Sequence, residues 1–261
     1  MNKKYTSHIQ SSIVISGIAV CISFIITGCS QSNRYGMNSS SEKYLGKNKI
    51  EVKYKFITNK KDFGSPLHSA SAYGDIEEAR FYLNDKIIPV NNQNDYDNTP
   101  LHYAAGNDHL EVVKELIQHG ANVNQKDMNE CTPLHYAAQI NNIEVVKKLV
   151  KHGANVNEKN INQHTPLYYS VKLGHEKVVK TLVKHTDNLN ENDKYEYTFL
   201  HYSAELGNVG IVKILIKKGA KINELNHVLN TPLDLALEKG HTDVVNLLKK
   251  HGATSGHTTN Q

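Results

Sequence analysis

Thr99-Pro100-Leu101-His102 is the stretch of sequence that decides the fold, because it returns along the chain at a fixed interval. The interval is constant from Thr99 to Thr231, and the first copy, at Ser65, lies one position further away. A unit of about 33 residues that repeats in this way predicts a solenoid, in which each unit buries its apolar face against its neighbours. The other copies are Ser65-Pro66-Leu67-His68, Thr132-Pro133-Leu134-His135, Thr165-Pro166-Leu167-Tyr168, Thr198-Phe199-Leu200-His201 and Thr231-Pro232-Leu233-Asp234.

Each copy of the motif predicts the start of a short helix. The Thr99 hydroxyl can accept a hydrogen bond from a backbone N–H of the first turn, which otherwise has no partner. Pro100 suits the first helical position, where a missing N–H costs nothing. Ala104 and Ala105 give this helix a small-residue face that allows close stacking.

A second, longer helix is predicted after each short one. In the second unit its apolar positions recur at helical spacing: Leu110, Val112, Val113, Leu116 and Ile117. Gly120 follows as the expected left-handed helix stop, and Asn122-Val123-Asn124 leads into a polar hairpin before Thr132.

At these residues the chain resembles the ankyrin-repeat family, whose signature is Thr-Pro-Leu-His-x-Ala. The resemblance implies an all-α solenoid of stacked helix–turn–helix units with β-hairpin loops that project to one side. It divides the chain into six repeats and a disordered tail at 256–261. The expected repeats are residues 61–93, 94–126, 127–159, 160–192, 193–225 and 226–255.

The chain departs from the family pattern at several positions. Lys86 and Thr186 stand where a stop glycine is expected, and Phe199 replaces the proline of the fifth repeat. The glycine usual two residues before the capping threonine is absent throughout, so a positive φ is expected on Asn129 and Asn162 instead. The residues found in place of that glycine are Asp97, Glu130, Gln163, Glu196 and Leu229.

Residues 1–28 lie outside the repeats. A basic start is followed by an apolar run from Ile13 to Ile26 and then by Ile26-Thr27-Gly28-Cys29. This pattern resembles the lipobox of bacterial lipoproteins. The resemblance implies that residues 1–28 are a lipoprotein signal peptide and that Cys29 becomes a lipidated N-terminus. The alternatives are an ordinary cleaved signal and an uncleaved N-terminal membrane anchor.

Lipidation would place the protein in the bacterial cell envelope, facing away from the cytoplasm, and at the outer membrane in a Gram-negative cell. Residues 29–60 are then a tether, whose Ser- and Asn-rich start is expected to be flexible. Residues 43–61 alternate apolar and polar positions, which is compatible with a strand or a partial cap. With Cys21 removed and Cys29 acylated, no disulfide is expected in the mature chain, where Cys131 lies in a hairpin.

Charge and motifs argue against several functional classes. The formal net charge of +4 is too mild to indicate nucleic acid, and Arg34 and Arg80 are the only arginines. The fifteen histidines recur at motif and helix-end positions, so they are expected to be structural, and no metal site or cofactor is expected. Phosphate-binding, nucleophile-elbow and dinucleotide motifs are absent from the sequence, so the chain is expected not to be an enzyme or to bind a small-molecule substrate.

The leading hypothesis is a scaffold that binds a protein partner through its hairpin tips and inner helices. Host-directed effector function is the alternative, and an accessory subunit or enzyme with unrecognised chemistry is the second. The hypothesis rests on apolar and aromatic residues at positions with little to pack against. Those at the tips are Tyr96, Met128, Ile161, His164, Tyr195, Tyr197 and Val228, and those on the inner helices are Ile140, Leu173 and Leu206.

A column of tyrosines invites the same interpretation, but packing between inner helices is favoured for it. The column consists of Tyr103, Tyr136, Tyr169 and Tyr202.

Overall fold

The computed structural model describes residues 64–86 and 88–257, and these form twelve helices in six pairs. The short inner helices begin at the repeated motif: α1 (Pro66–Tyr73), α3 (Pro100–Gly106), α5 (Pro133–Gln139), α7 (Pro166–Lys172), α9 (Phe199–Glu205) and α11 (Pro232–Glu238). The outer helices follow them: α2 (Ile76–Asn84), α4 (Leu110–Gln118), α6 (Ile143–Lys151), α8 (Glu176–Leu182), α10 (Val209–Lys217) and α12 (Thr242–Lys250). The predicted all-α repeat architecture is confirmed.

The core runs along the stack between the two layers of helices. Each inner helix packs on the next inner helix and on the outer helix of its own repeat. The motif leucine is buried in every repeat, as Leu101 and Leu134 illustrate. Burying such a side chain stabilises the fold by about 1.5 to 3 kcal/mol. Because much of this burial is against the adjacent repeats, the stability of one repeat depends on its neighbours.

The motif histidine joins the first, second, third and fifth repeats each to the next one. His102 Nδ1 accepts a hydrogen bond from the Thr99 backbone N–H at 3.0 Å, and its Nε2 donates to the carbonyl of Cys131 at 3.1 Å. The second bond reaches the hairpin of the following repeat. His68, His135 and His201 repeat this bridge to the carbonyls of Asn98, His164 and Asn230.

The bridge requires a neutral ring, because Nδ1 must keep its lone pair to accept the backbone N–H. Burial lowers the pKa of His102 and of His135 to about 4. The sequence predicted a bond either to the capping threonine or to the neighbouring hairpin, and the structure contains both.

The hairpin tips are turns organised by one carboxylate or amide side chain each. Asp127 Oδ1, for example, accepts hydrogen bonds from the backbone N–H groups of Asn129 and Cys131. No β-strand forms within residues 64–86 and 88–257, where the hairpin of the fifth repeat has only an isolated bridge between Asn192 and Thr198. The expected hairpin loops are present in the described residues as turns closed by backbone bonds, such as Asp127 N–H to the Cys131 carbonyl at 3.0 Å, and they form no extended strand ladder.

The backbone at the tips adopts positive φ where the family uses glycine. The residues concerned are Asp97, Glu130, Gln163, Glu196 and Leu229, with φ between 57° and 64°. Asn129 and Asn162 do not have positive φ, so the expectation that they would take this conformation is wrong. The turn geometry fixes the left-handed position, and the residue that occupies it must adopt that φ.

Two helix stops differ from the pattern in different ways. Lys86 adopts the left-handed conformation of the missing glycine, with φ of 52°. Thr186 is not left-handed, and its hydroxyl donates to the carbonyl of Leu182 at 3.0 Å. Helix α8 ends at Leu182 after seven residues, whereas α4, α6, α10 and α12 have nine. The fourth repeat thus lacks both the glycine and the last half-turn.

From the second repeat to the sixth, the N-cap residues of the outer helices alternate between histidine and asparagine. His109 Nε2 donates to the Ala72 carbonyl in the preceding repeat at 3.0 Å, and His175 and His241 do the same to Gln139 and Glu205. In the repeats between them the cap is Asn142 or Asn208, whose side chains accept from the N–H of Val145 and Ile211, respectively.

The end of the last repeat extends past the boundary expected at residue 255. Gly256 N–H donates to Asp234 Oδ2 at 2.8 Å, and His257 Nε2 lies 2.5 Å from Asn230 Oδ1. These contacts hold residues 256 and 257 on the repeat, so the expected tail is shorter than residues 256–261.

Several sequence expectations fall outside the described residues: the signal peptide at 1–28, Cys29, the tether at 29–60 and the alternating segment at 43–61. Cys131 is disulfide-bonded in the structure of the full chain, whereas the expectation of no disulfide concerned the mature chain and stays a prediction. Within the described ranges, every helix is too short or too polar to cross a membrane.

Candidate functional site

The expected binding residues divide into an exposed set and a partly buried set. Six side chains are exposed: Met128, Ile140, Ile161, Tyr195, Leu206 and Val228. Four are partly buried: Tyr96, His164, Leu173 and Tyr197. Ile140 and Leu206 directly follow α5 and α9 and are exposed instead of packing along the stack. We call the exposed hairpin residues Met128, Ile161, Tyr195 and Val228 the tip surface.

Two of the partly buried residues pack against tyrosines. The His164 ring stacks on Tyr168, with 3.7 Å between ring centres and an angle of 7° between planes. The Tyr197 ring centre lies 5.2 Å from that of Tyr202. Tyr197 therefore supports the tip of the fifth repeat, whereas Tyr195 beside it is exposed.

The tyrosine column is structural, as the sequence favoured. Tyr136 donates to Asp127 Oδ2 at 2.5 Å, and Tyr202 donates to the carboxylate of Asp193. In the other two repeats an asparagine Nδ2 donates to the tyrosine oxygen: Asn94 to Tyr103 at 2.9 Å and Asn160 to Tyr169 at 2.8 Å. Each tyrosine thus holds the tip of its own repeat.

A groove of about 970 Å³ opens between the tips of the fourth and fifth repeats. We call it the tyrosine groove, and it is lined by Ile161, His164, Tyr168, Lys172, Tyr195 and Tyr202 among others. Helices α7 and α9 on its floor contact each other less than any other pair of neighbouring inner helices. Tyr168 and Val171 stand where most other repeats carry the smaller histidine and alanine, and this extra volume keeps the two helices from stacking closely.

Lys172 is the central charge of the groove. Its Nζ lies 4.1 Å from the ring centre of Tyr202 and 5.9 Å from that of Tyr168. An ammonium in this position is attracted by the negative face of the ring. The residue as a whole is exposed to solvent, but desolvation of its ammonium against the rings lowers the pKa of Lys172.

Two neighbouring carboxylates already have partners. Asp193 Oδ1 accepts from the backbone N–H groups of Tyr195 and Tyr197, and its other oxygen accepts from Tyr202. Glu191 forms an ion pair with Lys159 at 3.3 Å. Lys172 forms no ion pair with any residue that the structure describes.

The sequence did not predict that Tyr168 and Lys172 form the floor of the groove, or that Leu229 is exposed at a tip. The signal for Tyr168 was present, because it replaces the histidine of the motif in the fourth repeat alone among repeats one to five. Leu229 was noted as a departure but not as a surface residue; it is 59% exposed with a positive φ. Nothing in the sequence singles out Lys172 from the other lysines.

Metal-binding geometry is not found in the described part of the chain. There, His, Cys, Asp and Glu side chains form no group of three or more that could hold an ion.

The match to a known family agrees with this geometry. The family model "Ankyrin repeats (3 copies)" matches residues 34–127, 124–193 and 185–259. These ranges cover most of the chain, so the chain belongs to the ankyrin-repeat family. Repeats of this kind generally mediate protein–protein binding, which indicates an interaction scaffold.

Individual proteins resemble parts of the chain. The crystal structure of the human ASB11 ankyrin repeat domain matches with a TM-score of 0.65 at 28% identity, over 73% of this chain and 85% of that domain. Alpha-latrocrustotoxin-Lt1a of Latrodectus tredecimguttatus is 41% identical over 93 residues, which are 35% of this chain and 6% of the toxin.

Ankyrin repeat domain-containing protein 49 of Bos taurus is 50% identical over 42 residues, which are 16% of this chain and 18% of that protein. The chain thus spans less than a fifth of the length of these curated relatives, and the similarity concerns the repeats.

Proposed function

We propose that this chain is a non-catalytic scaffold that binds a partner protein through its tip surface and is held at the bacterial envelope by a lipid on Cys29. The proposed protein binding rests on the exposed apolar side chains of adjacent tips. Ile161, Tyr195 and Val228 belong to successive repeats and are about half exposed or more. Exposed apolar side chains that lie next to one another are typical of interaction sites.

The spread of these residues favours a protein over a small ligand. They lie on three separate tips, and the tyrosine groove between two of them is open to solvent. A drug-sized ligand usually buries most of its surface in an enclosed pocket. A macromolecular partner can instead contact several tips at once.

A double variant of exposed tip residues tests the binding half. We expect Ile161→Ala with Tyr195→Ala to weaken partner binding by about 2 kcal/mol or more, as the loss of interface anchors does. Tyr197 is left unchanged, because it packs on Tyr202 and its loss would perturb the tip. The partner is captured by the full chain from membranes, and its affinity is then measured by calorimetry.

Phe81→Ala is the matched control, because Phe81 is 56% exposed on the outer helix of the first repeat, away from the tips. All variants must retain the wild-type melting temperature. Unchanged affinity in a folded double variant would overturn the assignment of the binding surface.

The anchor half is supported by the lipobox-like sequence that ends at Cys29. Acyl chains contribute about 0.8 kcal/mol per buried methylene, so two or more chains hold a protein firmly at a membrane. We expect palmitate labelling of the wild type and its loss in Cys29→Ala, with unprocessed precursor accumulating. Cys21→Ala is the control, since Cys21 lies within the expected signal peptide and should leave labelling intact.

Intact-mass spectrometry completes this test. The mass is measured before and after reduction, because Cys131 is disulfide-bonded in the structure and a thioether-linked lipid survives reduction. A mature chain with unacylated Cys29 would refute lipid anchoring. Recovery of that chain from the medium would favour a released effector.

A further inference from the structure

We propose that the tyrosine groove binds an extended segment of the partner protein and that this segment presents a carboxylate to Lys172. The inference rests on the proposed protein-binding function and specifies which chemistry its central groove recognises. An Asp or Glu side chain of the partner would bind Lys172 on the floor of the groove. An apolar side chain adjacent to it in the partner's sequence would lie between Ile161 and Tyr195 on the walls.

The position of Lys172 is the first argument. Its ammonium rests on the faces of two tyrosine rings at the floor of an open groove. Ring faces attract a cation but do not neutralise it. Since Lys172 forms no ion pair within the described residues, its charge is available to an incoming anion.

The second argument is the direction in which the other charges of the groove point. Asp193 is turned towards the interior of its own tip, where three hydrogen bonds occupy its oxygens. Lys194 lies 4.9 Å from the ring centre of Tyr195 and, like Lys172, forms no ion pair in the described part of the chain. Among the described residues that line the groove, Glu205 is the other carboxylate, and it attracts Lys172 without contacting it. The groove is lined by Lys159, Lys172 and Lys194 against the carboxylates of Asp193 and Glu205, so its lining carries a net positive charge, which complements an acidic segment.

The third argument is the shape of the groove. It lies between the tips of two repeats, is open to solvent and has apolar walls at Ile161 and Tyr195. A polypeptide in extended conformation can lie in it and continue past both ends. Burial between tyrosine rings strengthens an ion pair relative to one in water, so the carboxylate would be the specific contact and the walls would exclude solvent.

A selection from a phage-displayed library of random dodecapeptides on the full-length wild-type chain tests this inference. We expect enrichment of Asp or Glu next to an apolar residue. The dominant peptide is then synthesised, and its affinity is measured by fluorescence polarisation. Lys172→Met should weaken binding about tenfold or more, because it removes one partner of a desolvated ion pair. Lys172→Arg should keep most of the affinity.

Lys213→Met is the matched control, since Lys213 is exposed on α10 and should not affect binding. Selected peptides without acidic residues, or equal affinity for Lys172→Met and wild type, would overturn the inference. If Ile161→Ala with Tyr195→Ala still abolishes binding in that case, the proposed binding surface stands and only the acidic preference fails. If the wild type selects no peptide, or if no variant lowers affinity, both the proposed binding surface and the acidic preference are refuted.

Discussion

At the scale of single residues, the tip positions with positive φ carry a conformational cost. A non-glycine residue in the left-handed region is destabilised by about 1 to 2 kcal/mol. Leu229 adds an exposed apolar side chain to that cost. Because the Leu229 side chain is exposed, it gains little packing energy within the protein. A glycine at this position would therefore make the protein without its partner more stable.

We therefore expect Leu229→Gly to raise the free energy of unfolding by about 0.5 to 1 kcal/mol, after the greater flexibility of glycine in the unfolded chain is subtracted. Denaturant unfolding measures the change. Val228→Gly is the control, because Val228 is similarly exposed but does not have positive φ, and it should be neutral or destabilising. A loss of stability in Leu229→Gly as large as in the control would contradict a strained backbone.

Residue-scale sequence reasoning succeeded where the motif fixes both partners of a bond. Thr99 and His102 are separated by two positions at a helix start, and that spacing determines their contact. It failed at Asn129 and Asn162, since propensity favours asparagine for positive φ. Hydrogen bonds from the backbone to the Asp127 and Asn160 side chains set each turn, and the turn then imposes positive φ on Glu130 and Gln163.

At the scale of helices, the junction of the fourth and fifth repeats differs from the others. Tyr168 has no Nε2 to bridge to the next hairpin, α7 and α9 make fewer contacts, and α8 is short. A hydrogen bond of this kind stabilises by about 0.5 to 1.5 kcal/mol. Since the stability of a solenoid is close to a sum of local and nearest-neighbour terms, this junction should open first.

Hydrogen exchange should therefore be faster for the amides of α7, α8 and α9 than for those of α3, α4 and α5, which have the complete motif. Native-state exchange read by mass spectrometry compares the two regions in one sample. Equal protection of both regions would show that the tyrosine packing compensates for the missing bridge.

The start of every described inner helix followed from the motif, and the spacing of apolar residues predicted the outer helices, but neither predicted the groove. Tyr168 and Val171 were both visible in the sequence as departures from the pattern. Their effect depends on how far two helices move apart to accommodate them, which is a property of packed volumes and not of spacing along the chain.

At the scale of the whole molecule, the motif histidines make the stack sensitive to acid. The pKa of His102 and of His135 is lowered in the folded state to about 4 from 6.5. The unfolded chain therefore binds more protons between these values, so their contribution is complete above pH 6.5 and is lost as the pH falls towards 4. Across this pH range, each lowers the free energy of unfolding by up to about 3 kcal/mol.

We expect the free energy of unfolding to fall steeply between pH 7 and pH 5, as measured by denaturant unfolding at each pH. His102→Gln should lower stability at pH 7 and flatten this dependence, because it removes one group that must stay neutral. His152→Gln is the comparison, since His152 lies exposed at the end of α6. Equal pH dependence in the wild type and His102→Gln would refute the role of the bridge.

The alternating caps of the outer helices bear on how the gene acquired its length. His109, His175 and His241 follow one another at intervals of two repeats, with asparagine at the intervening caps. Copying one repeat at a time would have placed the same cap at each step, whereas copying repeats in pairs produces this alternation. Natural length variants of the gene are then expected to gain or lose two repeats at a time. Adding or removing a pair of repeats leaves each histidine cap next to asparagine caps, as in this chain.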